Sequence, residues 1–457
     1  MDEEKQTKKK RGFEKEEVQT VLRMAWPSVV ESFFIALAGM IDTMMVSTIG
    51  SEAVAAVGLT TQPKFMGLAA FIATNVATSA IIARRRGEER REDANRSLMA
   101  LLAFVAALSV VISIACVTLA DPIIDFCGSN EDTHSSAVLY FRIIMGCMIF
   151  NTLSMVINAA QRGAGNTKIA MRTNLTSSGV NVVFNWLLIN GHLGFPALGI
   201  QGAAIATVLG TIIACIMSIR SLFHADGFLS VPYWFSEKLH FSMKPLLPAA
   251  KLGSSVFLEQ ILMRIGFMAT SMMAAHMGTG PMAAHQVGMN ILSLSFSFGD
   301  GLQAASVALI GQSLGRKNPK QASRYGNICQ IMGLTIAIIL SILFLIGGKP
   351  FYQLYFSEPD IIEVGVIITR ITVIIVLFQI PQVVFTGSLR GAGDVLYTTI
   401  ASTISVTIVR TVVSYAACYI LNWGMAGIWF GIVADQMTRL ILTSLRYRTG
   451  KWMKIKV

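Results

Sequence analysis

The second half of this chain repeats the first at a fixed offset of 228 residues, half of its length of 457. At the clearest match, Gln161-Arg162-Gly163-Ala164-Gly165-Asn166 aligns with Leu389-Arg390-Gly391-Ala392-Gly393-Asp394. The same shift carries Glu31 onto Glu259, Gly50 onto Gly278, Ala55-Ala56 onto Ala283-Ala284, Gly87 onto Gly315 and Arg96 onto Arg324. Gapless, separated matches of this kind confine the chain to two similar halves, with the shared chemistry expected between and inside them.

Charge decides what those halves are made of. Only 14% of residues are charged against 53% hydrophobic, where a soluble domain carries about 25% charged. Apolar runs reaching the roughly 20 residues a bilayer span needs occur at 24–47, 53–82, 97–119, 137–160, 171–190, 197–221, 247–275, 283–310, 326–347, 362–388, 396–420 and 424–445. They are too long and continuous for the alternating strands of a membrane barrel. The fold class is therefore an all-α polytopic membrane protein with twelve transmembrane helices in two pseudo-symmetric six-helix bundles. An even number of spans per half inserts both halves the same way, so an axis along the membrane normal relates them as a parallel repeat. The expected organisation is a tail at 1–23, an N-lobe at 24–222, a linker at 223–246, a C-lobe at 247–446 and a C-terminal tail at 447–457.

The net charge of +11 is a topology signal. Lys8, Lys9, Lys10, Arg11, the run Arg84, Arg85, Arg86, Arg90, Arg91, the group Arg316, Lys317, Lys320, Arg324, and Arg446, Arg448, Lys451, Lys454, Lys456 all fall on one side of twelve alternating spans. Asp121, Asp125, Glu131, Asp132, Glu358 and Asp360 fall on the other. That is the positive-inside pattern, with both termini cytoplasmic. It implies contact with lipid headgroups and no nucleic-acid role. Six dispersed cysteines indicate neither a disulfide framework nor a zinc site. The charged first 23 residues run straight into a span, which stays as an anchor rather than a cleaved signal. The linker is rich in breakers (Asp226-Gly227, Pro232, Pro245), and its Tyr233-Trp234-Phe235 cluster is expected at the membrane interface.

Ionisable groups inside spans are costly and so mark candidate sites. Six are singled out: Glu31, Asp42, Glu259, Arg264, Arg410 and Asp435. Asp42 lies in the outer half of span 1. Asn181 and Asn185 sit four apart on one face of span 5, and Thr207 lies at similar depth in span 6. One carboxylate, two amide oxygens and a hydroxyl make an all-oxygen cage for a small hard cation such as sodium. Alternatively, the carboxylate takes a proton once the membrane disfavours its charge, or the cluster is interhelical glue. The repeat shift turns Asp42, Asn181 and Asn185 into Thr270, Val409 and Val413, and Thr207 into Asp435. The cage is thus not duplicated, and the C-lobe instead carries Glu259, Arg410 and Asp435 as a candidate charge network or salt bridge. Asn151 and Asn158 in span 4, with Gln379 and Gln382 in span 10, supply polar residues for a central cavity. The RGAG elements read as tight helix-to-helix turns rather than phosphate loops, since no strand or P-loop lysine accompanies them. Pro27 and Pro381 are expected bending points.

Twelve spans in two parallel halves, Asp42 after Pro27, the twin RGAG turns, Ile49-Gly50-Ser51-Glu52-Ala53, Gly202-Ala203-Ala204-Ile205-Ala206-Thr207, Ala284-His285-Gln286 and Gly387-Ser388-Leu389-Arg390-Gly391 together resemble the multidrug and toxic compound extrusion (MATE) family. The resemblance covers the chain from about residue 20 onward. It implies a V-shaped pair of lobes in a bacterial-type plasma (inner) membrane. It further implies export of organic cations and drugs by antiport against sodium or protons, no cofactor beyond that ion, and a monomer. It places the cation site at Asp42, Asn181, Asn185 and Thr207, and a C-lobe acidic residue at Glu259. Asn185 and Gln379 stand where some members carry aspartates, which leaves the coupling ion open. The alternative within the same class is a flippase for a lipid-linked precursor, which would favour a cavity rich in Arg and Lys; Lys64, Arg264, Arg370 and Arg410 are few for that. An enzyme is disfavoured because His276 and His285, read as loop or interface residues, give no metal or nucleophile spacing. A channel is disfavoured by the lack of a filter-like segment.

Overall fold

The computed structural model describes residues 14–455 except 50, 128, 130, 225–226 and 357. Lys8 to Arg11, Gly50, Asp226 and Lys456 therefore lie outside the described residues. Twelve long helical segments follow one another: α1 (Lys15–Ser47), α2 (Ser51–Gly87), α3 (Arg91–Thr118), α4 (Glu131–Gly146 continuing as Met148–Gly163), α5 (Thr167–Ile189), α6 (Ile200–Ser221), α7 (Leu246–His276), α8 (Thr279–Gly315), α9 (Pro319–Tyr355), α10 (Pro359–Gly391), α11 (Val395–Ile420) and α12 (Met425–Arg448). Nine are long and apolar enough to cross a membrane on their own, and α4 is a tenth once its two pieces, bent by 48°, are joined. The remaining two, α5 and α8, carry Asn181, Asn185, Asp300 and Gln303 on faces turned inside the protein, which interrupts their apolar runs.

Each expected span coincides with a helix, although the helices outrun the apolar runs. α1 begins at Lys15, where the Glu17 carboxylate accepts from the Glu14 backbone N–H at 3.2 Å, so residues 15–23 of the expected tail are helical. Asn318 caps α9 by accepting from the Gln321 N–H at 3.1 Å. Pro27 and Pro381 lie inside continuous helices; a bend of 48° falls at the break between Gly146 and Met148 in α4. There the Ser113 hydroxyl donates to the carbonyls of Met145 and Gly146. The repeat-related Ser341 donates to Val373 at 3.1 Å. α11 contains two widened, π-helical stretches, Ile404–Arg410 and Ala416–Ile420, a form that recurs at functional positions.

The RGAG turns show why both glycines are needed. Gly165 and Gly393 adopt φ of +94° and +88°, which lets α4 reverse into α5 and α10 into α11. The glycine two residues earlier is a contact surface. A Cβ on Gly163 would sit 2.6 Å from the Ser79 carbonyl of α2, and one on Gly391 would sit 2.6 Å from the Val307 carbonyl of α8. Ser79 and Val307 are themselves 228 apart.

Each half has its own apolar core. Phe71, Leu98, Leu101, Phe141 and Ile157 fill the first, and Tyr352, Ile368, Ile375 and Trp429 the second. A third cluster joins them, since Val21, Met24 and Ala25 of α1 pack on Leu302, Ala305 and Leu309 of α8. The two lobes close on each other at the end that carries the basic loops. A Cβ on Gly315 would lie 2.7 Å from Gly87 Cα, and one on Gly311 would lie 2.6 Å from Ala83 Cβ. Both are repeat-related pairs, so α2 and α8 cross on the pseudo-two-fold axis with small residues four apart, the packing that lets helices approach closely in lipid. Gln312 tightens the seam by donating to the Gly163 carbonyl at 2.9 Å.

Two expectations change. The linker aromatics are docked on the protein, because Trp234 Nε1 donates to Asn95 at 2.7 Å and Tyr233 lies 4.1 Å from the Arg91 guanidinium, while Phe235 alone is exposed. His285 is buried within α8 against Trp429, with ring centroids 5.7 Å apart. Helix packing of α8 against α10 and α12 removed it from the interface.

Candidate functional site

A cavity of about 770 Å³ lies between the lobes above the glycine crossing. Its walls come from α1, α2, α4, α5 and α6 of one half and α7, α8, α10, α11 and α12 of the other. Asn151, Asn158, Gln379 and Gln382 all line it. Asn158 is satisfied within its lobe, donating to Ser154 at 3.3 Å and accepting from Ser218 at 3.2 Å. Gln382 donates to Gln436 at 3.1 Å. The Gln379 Oε1 and Asn75 Oδ1 acceptors are buried without a partner among the described residues, a state that buried polar groups avoid unless a ligand or water completes them.

The N-lobe cluster forms from α1, α5 and α6. Asn185 Nδ2 donates to Asp42 Oδ1. Asn181 Nδ2 donates to Thr207 Oγ1 at 3.1 Å, and Asn181 Oδ1 stands 3.5 Å from Asn185 Nδ2. Asn185 is fully buried, yet its Oδ1 has no partner among the described residues. One carboxylate with neutral oxygens suits a monovalent cation or a proton; among the described residues no group of three or more His, Cys, Asp or Glu gathers for a divalent metal. Buried Tyr140 and the Lys64 ammonium both lie within electrostatic range of Asp42.

The expected Glu259–Arg410–Asp435 network is two separate assemblies. Glu259 is held by Arg390 at 2.7 Å, with Thr399 donating at 3.3 Å. Asp435 is held by Arg410 at 2.5 Å and by Arg439 at 2.8 Å, and Gln436 donates to it at 3.3 Å. The separation is geometric: Glu259 faces the end of α10, whereas Arg410 is presented to α12 by the π-helical stretch of α11. Glu31 is the repeat mate of Glu259 and is held in the same way, by Arg162 at 2.7 Å and Asn174 at 2.5 Å. It is 4% exposed and lines the cavity.

A family match now bears on this geometry. The MatE family matches residues 27–187 and again 256–416, more than half the chain and in two copies. The chain belongs to the MatE family. A Thermotoga maritima relative described as a probable multidrug resistance protein NorM is 27% identical over 96% of this chain and 95% of its own length. The uncharacterized transporter YisQ of Bacillus subtilis is 26% identical over 95% of each. Among solved structures, an outward-facing multidrug resistance MATE transporter superposes with a TM-score of 0.88 at 23% identity, covering 95% of each chain. A Pyrococcus furiosus transporter of the same superfamily, described by a reversed polarity of its binding pocket, gives 0.89 at 21% over 96% and 97%. These likenesses carry the twelve-helix, two-lobe fold. MatE proteins are membrane transporters, so this chain is a transporter and not an enzyme.

In this MatE chain the sequence reading passed over Asp300. It lies in α8, lines the cavity, and accepts from Ser32 of the other lobe at 3.5 Å. An acid inside the run 283–310 was the available signal. Arg162, Arg390 and Arg439 were also missed as cavity residues, because they sit near span ends where arginine ordinarily snorkels to water. Together with Arg264 and Arg410 they place five arginines on the cavity wall. Arg264 alone among them has no carboxylate partner among the described residues, its guanidinium lying 4.4 Å from the Phe65 ring.

Proposed function

We propose that this MatE chain is a cation-coupled antiporter that exports amphipathic organic cations and drugs by alternating access between its lobes. Asp42 carries the reading: its carboxylate is set among Asn181, Asn185 and Thr207, with the Asn185 carbonyl oxygen left over to receive a cation. The basic end faces the cytoplasm of a bacterial plasma membrane, by the positive-inside pattern. With that end sealed at Gly87 and Gly315, the cavity is reached from outside, and the chain works as a monomer. Sodium or a proton entering from outside neutralises Asp42 and favours a state with lower drug affinity; the drug, by reciprocity, lowers affinity for the ion. The unpartnered Gln379 and Asn75 oxygens and Asp300 would meet the donors of a cationic substrate. Curated relatives described as multidrug resistance proteins support this substrate class.

The test is efflux of ethidium from proteoliposomes under an imposed sodium or proton gradient. Gradient-driven efflux that Asp42→Asn abolishes supports the reading and names the ion. No efflux under either gradient sinks it.

The flippase reading keeps one observation in its favour. Five cavity arginines, one of them without a carboxylate, are more than the sequence suggested, and a lipid-linked phosphate would meet them well. Movement of a fluorescent lipid phosphate between leaflets, in the absence of ethidium efflux, would select it.

A further inference from the structure

A second cavity, of about 630 Å³, opens at the basic end of the N-lobe, away from the transport path. Arg86, Lys168, Arg172 and His224 line it; no carboxylate does among the described residues, which leave out Asp226, between the lining residues His224 and Gly227. None of the four is in a salt bridge among those residues. That sets Arg86 apart from its neighbours: Arg84 and Arg85 engage Glu88 at 3.5 and 2.8 Å, Arg90 engages Asp93 at 2.5 Å, and Arg96 engages Glu92 at 2.6 Å. Arg86 turns instead over the Phe228 ring, 4.4 Å away, at the cavity wall.

The internal repeat supplies a control within the same molecule. Shifted by 228, Arg86, Lys168, Arg172 and His224 become Leu314, Leu396, Ile400 and Trp452. In the C-lobe these four counterparts are apolar: Trp452 is fully buried, stacks on Tyr447 at 5.0 Å, and packs with Leu314 and Leu389, while the one cation beside them, Arg446, is neutralised by Asp394 at 2.7 Å. Leu396 and Ile400, 63% and 49% exposed, form a surface suited to lipid. The fold therefore does not require a basic residue at any of these four positions, and the one C-lobe cation nearby carries its own carboxylate. A topology signal needs only basic loops, not three unpaired cations, Arg86, Lys168 and Arg172, converging on one hollow at the membrane boundary.

We propose that this N-lobe pocket binds a phosphate-bearing group. Arginine forks match phosphate oxygens, and basic pockets between helices at the cytoplasmic boundary hold anionic headgroups. The group is supplied either by an acidic phospholipid or by a free phosphate compound. The proposal is independent of the drug-export reading, and the orientation proposed above enters only in naming the leaflet. The pocket is walled in part by the RGAG turn, through Ala164, Gly165 and Asn166. A bound phosphate would therefore sit against the segment that Gln312 joins to the other lobe.

The full chain, purified in detergent, is tested by native mass spectrometry with phosphatidylglycerol against phosphatidylcholine. Glycerol 3-phosphate and inorganic phosphate are titrated separately by calorimetry at constant ionic strength. Lys168→Gln with Arg172→Gln, both exposed and outside the core, is the principal variant; Arg86→Gln is the second. Arg316→Gln with Lys320→Gln removes equal charge from the same face elsewhere. The expected result is selective retention of one phosphatidylglycerol, weakened about thirtyfold by the principal variant and unchanged by the control pair. Saturable binding of the soluble phosphates without lipid selectivity supports the pocket and assigns it the free source. Equal retention of both lipids with no binding of soluble phosphate overturns the proposal. So does a control variant that loses as much as the principal one.

Discussion

Arg162 and Glu31 are joined at 2.7 Å, and 228 residues later Arg390 and Glu259 repeat the joint at the same distance. Each pair ties the arginine of an RGAG turn to the first long helix of its own half, so the end of α4 is locked to α1 and the end of α10 to α7. Both carboxylates are buried, 4% and 2% exposed, and removing a partner strands a charge.

Arg390→Gln should therefore destabilise the protein by about 3–5 kcal/mol. Arg162→Gln should cost less, because Glu31 keeps its bond from Asn174 whereas Glu259 keeps only the longer one from Thr399. Thermal unfolding in detergent measures both. Adding Glu259→Gln to Arg390→Gln should recover much of the loss. An Arg390→Gln protein that melts like wild type would mean the pair contributes nothing.

Asp42→Asn should reduce gradient-driven ethidium efflux about tenfold or more, while ethidium still binds. The amide keeps the volume but cannot change charge. Binding and efflux falling together would point to a structural role for the N-lobe cluster.

Gly315→Val should prevent closure of the basic end, since even a Cβ there meets the Arg84 carbonyl at 2.3 Å. A cysteine placed at Ser154 should then react faster with a membrane-impermeant maleimide added from the basic side. Unchanged labelling would contradict a gate at the crossing of α2 and α8.

Asp300→Asn should weaken ethidium binding about tenfold, if this carboxylate meets the cationic group. Its repeat mate is Ile72, which also lines the cavity, so the charge is contributed by one half alone. Fluorescence titration in detergent reads the change, and equal affinity for both proteins would exclude Asp300 from the binding surface.

How much of this could be read from the chain depends on the range of the interaction. Span number, the parallel repeat and the two-lobe fold were legible because apolar length and a gapless offset are local or periodic properties. The i, i+4 spacing put Asn181 and Asn185 on one face of α5, where they stand 3.5 Å apart. Span ends were less legible: α1 begins at Lys15 because a helix can run on past the membrane wherever its backbone stays capped.

Partner choice was the part the sequence withheld. Glu259 had Arg410 and Arg390 within its half, and nothing in their order says that the π-helical stretch of α11 turns Arg410 toward Asp435. Nor does it say that Gly87 and Gly315 meet, although both are visible as repeat mates. The sequence by itself determined which helices exist, since burial of the backbone in lipid leaves a continuous helix as the satisfied form. Only the tertiary structure decided which charges pair, which amide oxygens are left over and where the lobes close. Those depend on contacts between separate helices, from 25 residues apart for Arg410 and Asp435 to 228 for Gly87 and Gly315, fixed by helix packing and not by any local pattern.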